Sequence, residues 1–155
     1  MNQNDILIIG IGNIFRGDDL AGLAAARLFR EMQVPGVKVL ELDGDMTGLL
    51  EGWQGARKVV VIDAVTSKAA AGTIFRFDAH EEPLPQKMFA TCCSCHAFGV
   101  AQQIEIGRSL NQLPPCLIVY GIEGKDFTLG SKLSPEVQQA LPRLMEQIRQ
   151  ELEQT

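Results

Sequence analysis

Asp19, Asp63 and His96 are the residues of this sequence whose side chains, if brought together, would do chemistry. Two carboxylates and an imidazole suit a borderline divalent ion such as nickel or zinc, with coordination positions left open for a substrate group or water. Each has an ordinary alternative. Asp19 could cap a helix, Asp63 could end a strand, and His96 could sit in a first helical turn for structural reasons. Further polar candidates are Asp43, Gly44, Asp45 and Thr47 in the turn DGDMTG, and Glu123 in YGIEGKDF. Turns favour Asp and Thr for local hydrogen bonding, so these residues read either as substrate contacts or as loop residues.

Residues so far apart in sequence meet only if the fold delivers them to one edge, and the element pattern predicts that it does. Ile6 to Ile9 is a continuous apolar run ending in the glycines of GIGN, as expected of a parallel strand buried on both faces. Asp18 and Asp19 are placed to cap a following helix, in which Leu20, Leu23, Ala24 and Leu28 recur at helical spacing to about Met32. Val37 to Leu42 reads as a second strand, Met46 to Trp53 as a short helix, and Lys58 to Ile62 as a third strand with Asp63 at its carboxyl end. Gly72 to Phe77 suits an edge strand paired antiparallel. Residues 78 to 93, with Pro83 and Pro85, form a loop long enough to suggest function, and a helix is expected from near His96 to about Leu110.

The run CLIVYGI after Pro114 and Pro115 is a fifth strand. Ser134-Pro135-Glu136 opens a last helix with an apolar stripe of Val137, Leu141, Leu144, Ile148 and Leu152; Pro142 within it predicts a kink or restart. The alternation predicts an α/β single-domain three-layer sandwich over residues 1–155, with a mostly parallel five-stranded sheet and helices on both faces. Such sheets bind ligands beyond the carboxyl ends of their strands, which is where Asp19, Asp63 and His96 fall.

A chain of 155 residues, 46% hydrophobic and 21% charged, can bury one good core. A formal charge of -5 with scattered Lys and Arg argues against nucleic acid as a partner. No apolar stretch approaches the roughly 20 residues of a membrane span, so no membrane insertion is expected. The opening MNQND lacks a basic region leading into an apolar one, so a cytoplasmic location and four reduced cysteines are expected.

Rival motifs fit less well. GIGN invites a dinucleotide, but the third glycine of G-x-G-x-x-G would fall on Phe15, and Asp18 with Asp19 would repel a pyrophosphate. Cys92, Cys95 and His96 satisfy C-x-x-C-H, the haem-attachment pattern, yet the expected lack of export opposes it, so no organic cofactor is expected. Cys92 and Cys95 also admit half a zinc site or a redox pair, though Cys116 lies alone in a predicted buried strand and His80 is the other histidine. There is no G-x-S-x-G elbow and no H-E-x-x-H helix.

The strings GIGNIFRGDD, LDGDMTG, VIDAV and SCHAFG, in this order and spacing, resemble the motifs of the hydrogenase maturation endopeptidases across nearly the whole chain. The resemblance implies an enzyme that removes the C-terminal extension from the large-subunit precursor of a nickel-iron hydrogenase. It implies Asp19, Asp63 and His96 as nickel-contacting catalytic residues and sets the DGDMTG turn beside them. Asp19 stands where many relatives carry Glu, and Leu20 where many carry Gly; the shorter carboxylate keeps the charge.

Two mechanisms fit that residue set. The protein could hold its own ion and activate water with it, as zinc peptidases do. Alternatively the residues recognise nickel already inside the precursor, and the resemblance favours this, with nickel supplied by the substrate. Binding through carboxylates and imidazole needs no thiolate. Changing Cys92 and Cys93 together to Ser is therefore expected to leave tail removal near the wild-type rate, read as the precursor's loss of mass. Complete loss with a normal fold would put a thiol in the site.

Overall fold

In the computed structural model, which describes residues 5–43, 46–89 and 99–154, the first apolar run forms β1 (Ile6–Gly12). A 3-10 turn (Gly17–Leu20) leads into α1 (Ala21–Met32), and β2 (Val37–Asp43) and α2 (Leu49–Gly52) follow. Then come β3 (Lys58–Val65), β4 (Ile74–Asp78), α3 (Val100–Ser109), β5 (Cys116–Glu123) and α4 (Pro135–Glu153). The strands form a five-stranded sheet in the order β2-β1-β3-β5-β4. β2, β1, β3 and β5 run parallel, and β4 pairs antiparallel with β5 at the edge. The antiparallel edge follows from length: residues 66–73 are too few for the crossover that a parallel return requires.

β3 is buried at all eight positions because helices cover both of its faces. Its side chains alternate between two cores. Val59, Val61 and Val65 join Leu7, Ile9, Leu49, Trp53, Val100 and Ile104 on the face covered by α2 and α3. Val60, Ile62 and Ala64 join Ile8, Phe29, Val137, Leu141, Leu144 and Ile148 on the face covered by α1 and α4. This is the three-layer α/β arrangement that the sequence predicts. Among the described residues no helix is long and apolar enough to cross a membrane.

Three local expectations need correction. Neither Asp18 nor Asp19 caps a helix: the 3-10 turn and α1 both start without a side-chain cap. The helix expected from Met46 to Trp53 shrinks to Leu49–Gly52, since Trp53 and Met46 are drawn into the core while the chain turns at both ends. α4 runs unbroken through Pro142. That proline lies on the solvent face, and the buried stripe on both sides of it outweighs the one hydrogen bond it cannot donate. The described part of α3 starts at Val100; His96, where its start was expected, lies outside the described residues.

The amino end of the sheet is fastened by a buried ionic clasp. Lys58 Nζ, on a side chain 5% exposed, lies 3.3 Å from Glu151 Oε2 and donates to Gln154 O at 2.9 Å. Glu151 Oε1 accepts from Arg76 Nε at 2.6 Å and from Tyr120 Oη at 3.1 Å, so one carboxylate ties β3, β4 and β5 to α4. Burial alone would raise the Glu151 pKa, but the bonds from Arg76 and Tyr120 and the charge of Lys58 hold it below its ordinary value. Burial, then the Glu151 charge, pushes the Tyr120 phenol up to about 12.

The signs follow by linkage. Stability from the depressed Glu151 is present above 4.5 and is lost as pH falls through its lower folded value. Stability from the raised Tyr120 is present below 10.0 and is lost as pH climbs toward about 12. Glu151→Ala strands Lys58 without its carboxylate, and is expected to cost about 3 kcal/mol, lowering the melting temperature by roughly 10 °C in calorimetry at pH 7. An unchanged melting temperature would show that the clasp contributes nothing.

Candidate functional site

The sheet register aligns the candidate residues at the carboxyl edge. Gly12 pairs with Asp43, Asp63 with Gly121, and Val65 with Glu123, so β1, β2, β3 and β5 all end there. Asp63 sits between Val61 and Val65 in β3 and shares their face, the one covered by α2 and α3. Asp19 arrives from the 3-10 turn after β1, whose main chain folds back on itself: Asn13 N–H donates to Asp19 O at 3.2 Å, and Asp19 N–H to Arg16 O at 3.0 Å.

Gly22 makes this approach possible. A Cβ there would lie 2.3 Å from both Ile11 O and Ile62 O, so α1 rests directly on the backbone of β1 and β3. The close approach is made at Gly22, and Leu20, the departure from the family pattern, is only half buried. Asp19 and Asp63 are 7% and 6% exposed. The Asp63 carboxyl is raised well above its ordinary pKa, first by burial and then by the negative charge of Asp19, against a smaller lowering by the hydrogen bond from the Ala64 N–H. Two desolvated acids thus face one another at the strand edge. A cation between them would favour the ionised form of both.

His96 and Gly44 lie outside the described residues. Both flanks of the segment carrying His96 are nevertheless fixed beside the end of β3. Thr66 N–H donates to Met88 O at 2.9 Å, and Phe89 packs edge-on against Phe77 with ring centroids 5.8 Å apart. On the far side, Val100 and Ala101 join the same core as Val65. Asp43 and Thr47 are exposed around the turn that follows β2. Among the described residues no three His, Cys, Asp or Glu side chains form a set able to hold a metal.

Asp18, expected as a helix cap, and Glu123, left open between substrate contact and loop residue, both have structural partners. Asp18, fully buried, accepts from three backbone N–H groups: Lys125 at 2.7 Å and Asp126 at 2.9 Å on one oxygen, and Ser134 at 2.7 Å on the other. It therefore latches the β5–α4 connection to the turn that carries Asp19. No local sequence signal separates the two neighbouring aspartates, since the distinction rests on residues over a hundred positions away. Glu123, 2% exposed, accepts from Ser67 N–H at 2.7 Å and from Ser67 Oγ at 2.5 Å, holding the loop after β3.

Comparison with known proteins joins this geometry to a lineage. Residues 23–151 match the sequence model of the family described as hydrogenase maturation protease. Protein FrxA of Pyrococcus furiosus is 32% identical over 136 residues, covering 85% of this chain and 93% of that protein. The hydrogenase 2 maturation protease of Escherichia coli is 26% identical over 146 residues, covering 92% of this chain and 87% of that protein. In fold the chain is similar to the hydrogenase maturating endopeptidase HybD from E. coli, with TM-score 0.80 and 23% identity over 95% of this chain and 91% of the other.

Proposed function

Because the chain belongs to the hydrogenase maturation protease family and is thus a peptidase, we propose that it removes the C-terminal extension of a nickel-iron hydrogenase large-subunit precursor, with precursor-bound nickel as the recognition element. The observation that carries this reading is the buried Asp19 and Asp63 pair, in which the charge of one raises the pKa of the other. An arriving divalent ion relieves their repulsion and stabilises both as carboxylates. His96 supplies the third donor, and the pinned flanks of its segment favour its reaching the same edge.

Three donors make a partial coordination shell, so tight engagement draws its remaining ligands from the precursor around its own nickel. Held in this way, the tail meets the cleavage machinery as part of one complex, which removes the entropic cost of a second encounter. Asp43, Gly44 and Thr47 contact the precursor, and Glu123 supports the carboxyl edge of the sheet through Ser67. The reaction belongs to the cytoplasm, where the thiol of Cys116 stays reduced. Incubating the purified protein with nickel-loaded precursor is expected to shorten the precursor by the mass of its tail. An unchanged mass would overturn the proposal.

A further inference from the structure

Two large apolar side chains stand in solvent on the flank of this edge: Phe15, 63% exposed, and Leu129, 67% exposed. Phe15 belongs to the connection leaving β1 and Leu129 to the connection leaving β5, the two strands on either side of the Asp63-bearing β3. The connections meet. Gly130 N–H donates to Phe15 O at 2.7 Å, and Asp18 N–H to Asp126 O at 2.8 Å.

Neither side chain is exposed through fraying. The Phe15 turn is tied by its own N–H to Asn13 Oδ1 at 2.8 Å and, through Asn13 N–H, to Asp19 O at 3.2 Å. The Leu129 turn is closed by Ser131 N–H on Thr128 O at 3.1 Å and suspended from the buried Asp18 carboxylate. Gly17 lets the two come so close: at φ +56 its missing Cβ would fall 2.3 Å from Asp126 O.

We infer that Phe15 and Leu129 form an apolar seat for a large hydrophobic side chain of the precursor, beside the segment brought to Asp19 and Asp63. The inference rests on the proposed function and deepens it by naming the surface that takes the substrate chain. A second copy of this protein is the less suitable occupant on area. Two side chains of this size, exposed by about two-thirds, offer roughly 250 Å², against the roughly 800 Å² per partner of a stable protein interface. That area suits one side chain of a docked segment, and the main-chain bonds from the Phe15 turn to Asp19 make the seat continuous with the site. Binding there holds ground state and transition state alike, so its loss shows in KM and leaves kcat alone.

The test uses the full chain and nickel-loaded precursor, following tail removal by mass. Phe15→Ser with Leu129→Ser is expected to raise KM at least about tenfold with kcat within about twofold of wild type. Phe15→Leu, which keeps an apolar surface, is expected to stay within about threefold in KM. Leu110→Ser, which removes a 57% exposed leucine just after α3 and away from this edge, is expected to change neither constant. All variants should melt within about 2 °C of wild type, since exposed side chains carry little stability. A wild-type protein that leaves the precursor uncut overturns the proposed function and this inference with it. Wild-type cutting with an unchanged KM in the double variant, or a fall confined to kcat, overturns this inference alone.

Discussion

Asp63→Asn is expected to abolish tail removal, by more than about a hundredfold, and at the same time to make the protein harder to melt at neutral pH. Both effects have one origin. Burial and the charge of Asp19 raise the folded-state pKa of Asp63 well above 3.8, so ionising it opposes folding. Stability owed to the neutral acid is therefore complete below about 3.8 and drains away as pH rises through the elevated folded value. The wild type has lost it wherever Asp63 is ionised, whereas Asn cannot ionise and its Oδ1 still accepts from the Ala64 N–H. Each unit of elevation is worth about 1.4 kcal/mol, and each kcal/mol moves the melting point of a chain this long by about 2–4 °C.

Melting curves across pH should accordingly coincide in strong acid and separate as pH rises, with the variant above. Asp19→Asn should also lose processing, and should lower the pKa of Asp63 by removing the charge that opposes its ionisation. His96→Ala belongs to the same series for processing. A variant that cuts normally would remove Asp63 from the site, and one that melts below wild type at pH 7 would refute the strained acid pair.

The second expectation separates substrate nickel from a resident ion. Precursor carrying nickel should be cut, and the same precursor made without nickel should be left whole, a difference of at least about a hundredfold in rate. On the proposed reading, Asp19, Asp63 and His96 would leave a coordination shell for the precursor to complete, and without its ion the precursor would offer nothing for the two acids to share. A hydrolase with its own ion behaves in the opposite way: it cuts any accessible tail, and a chelator stops it until metal returns. Loaded and empty precursors are compared by mass, with and without added zinc. Equal cutting of empty precursor by zinc-supplemented protein would overturn substrate-nickel recognition in favour of a conventional metal site.

Much of the architecture was legible because it follows from local rules. The unbroken apolar run of β3 requires cover on both faces, the short β3–β4 link forbids a parallel return, and Ser134-Pro135 starts a helix. The helix does not restart at Pro142: the sequence shows its missing donor and hides the burial that compensates for it. The candidate residues Asp19 and Asp63 were legible as residue types at strand ends. The separate tasks of the two adjacent aspartates were hidden, as was the engagement of Glu123 by Ser67, 56 residues away.

The sequence by itself determined most of the strand and helix pattern, the edge at which Asp19 and Asp63 gather and the family, since these depend on periodicity, turn chemistry and ordered motifs within short stretches. Only the tertiary structure decided that Asp19 and Asp63 share one buried environment, that Asp18 is a latch, and that the connections carrying Phe15 and Leu129 are joined by main-chain bonds. Electrostatic coupling, burial and hydrogen bonding act over a few ångströms of space, and chain positions tens to hundreds of residues apart become neighbours only when the sheet and its helices close around the core.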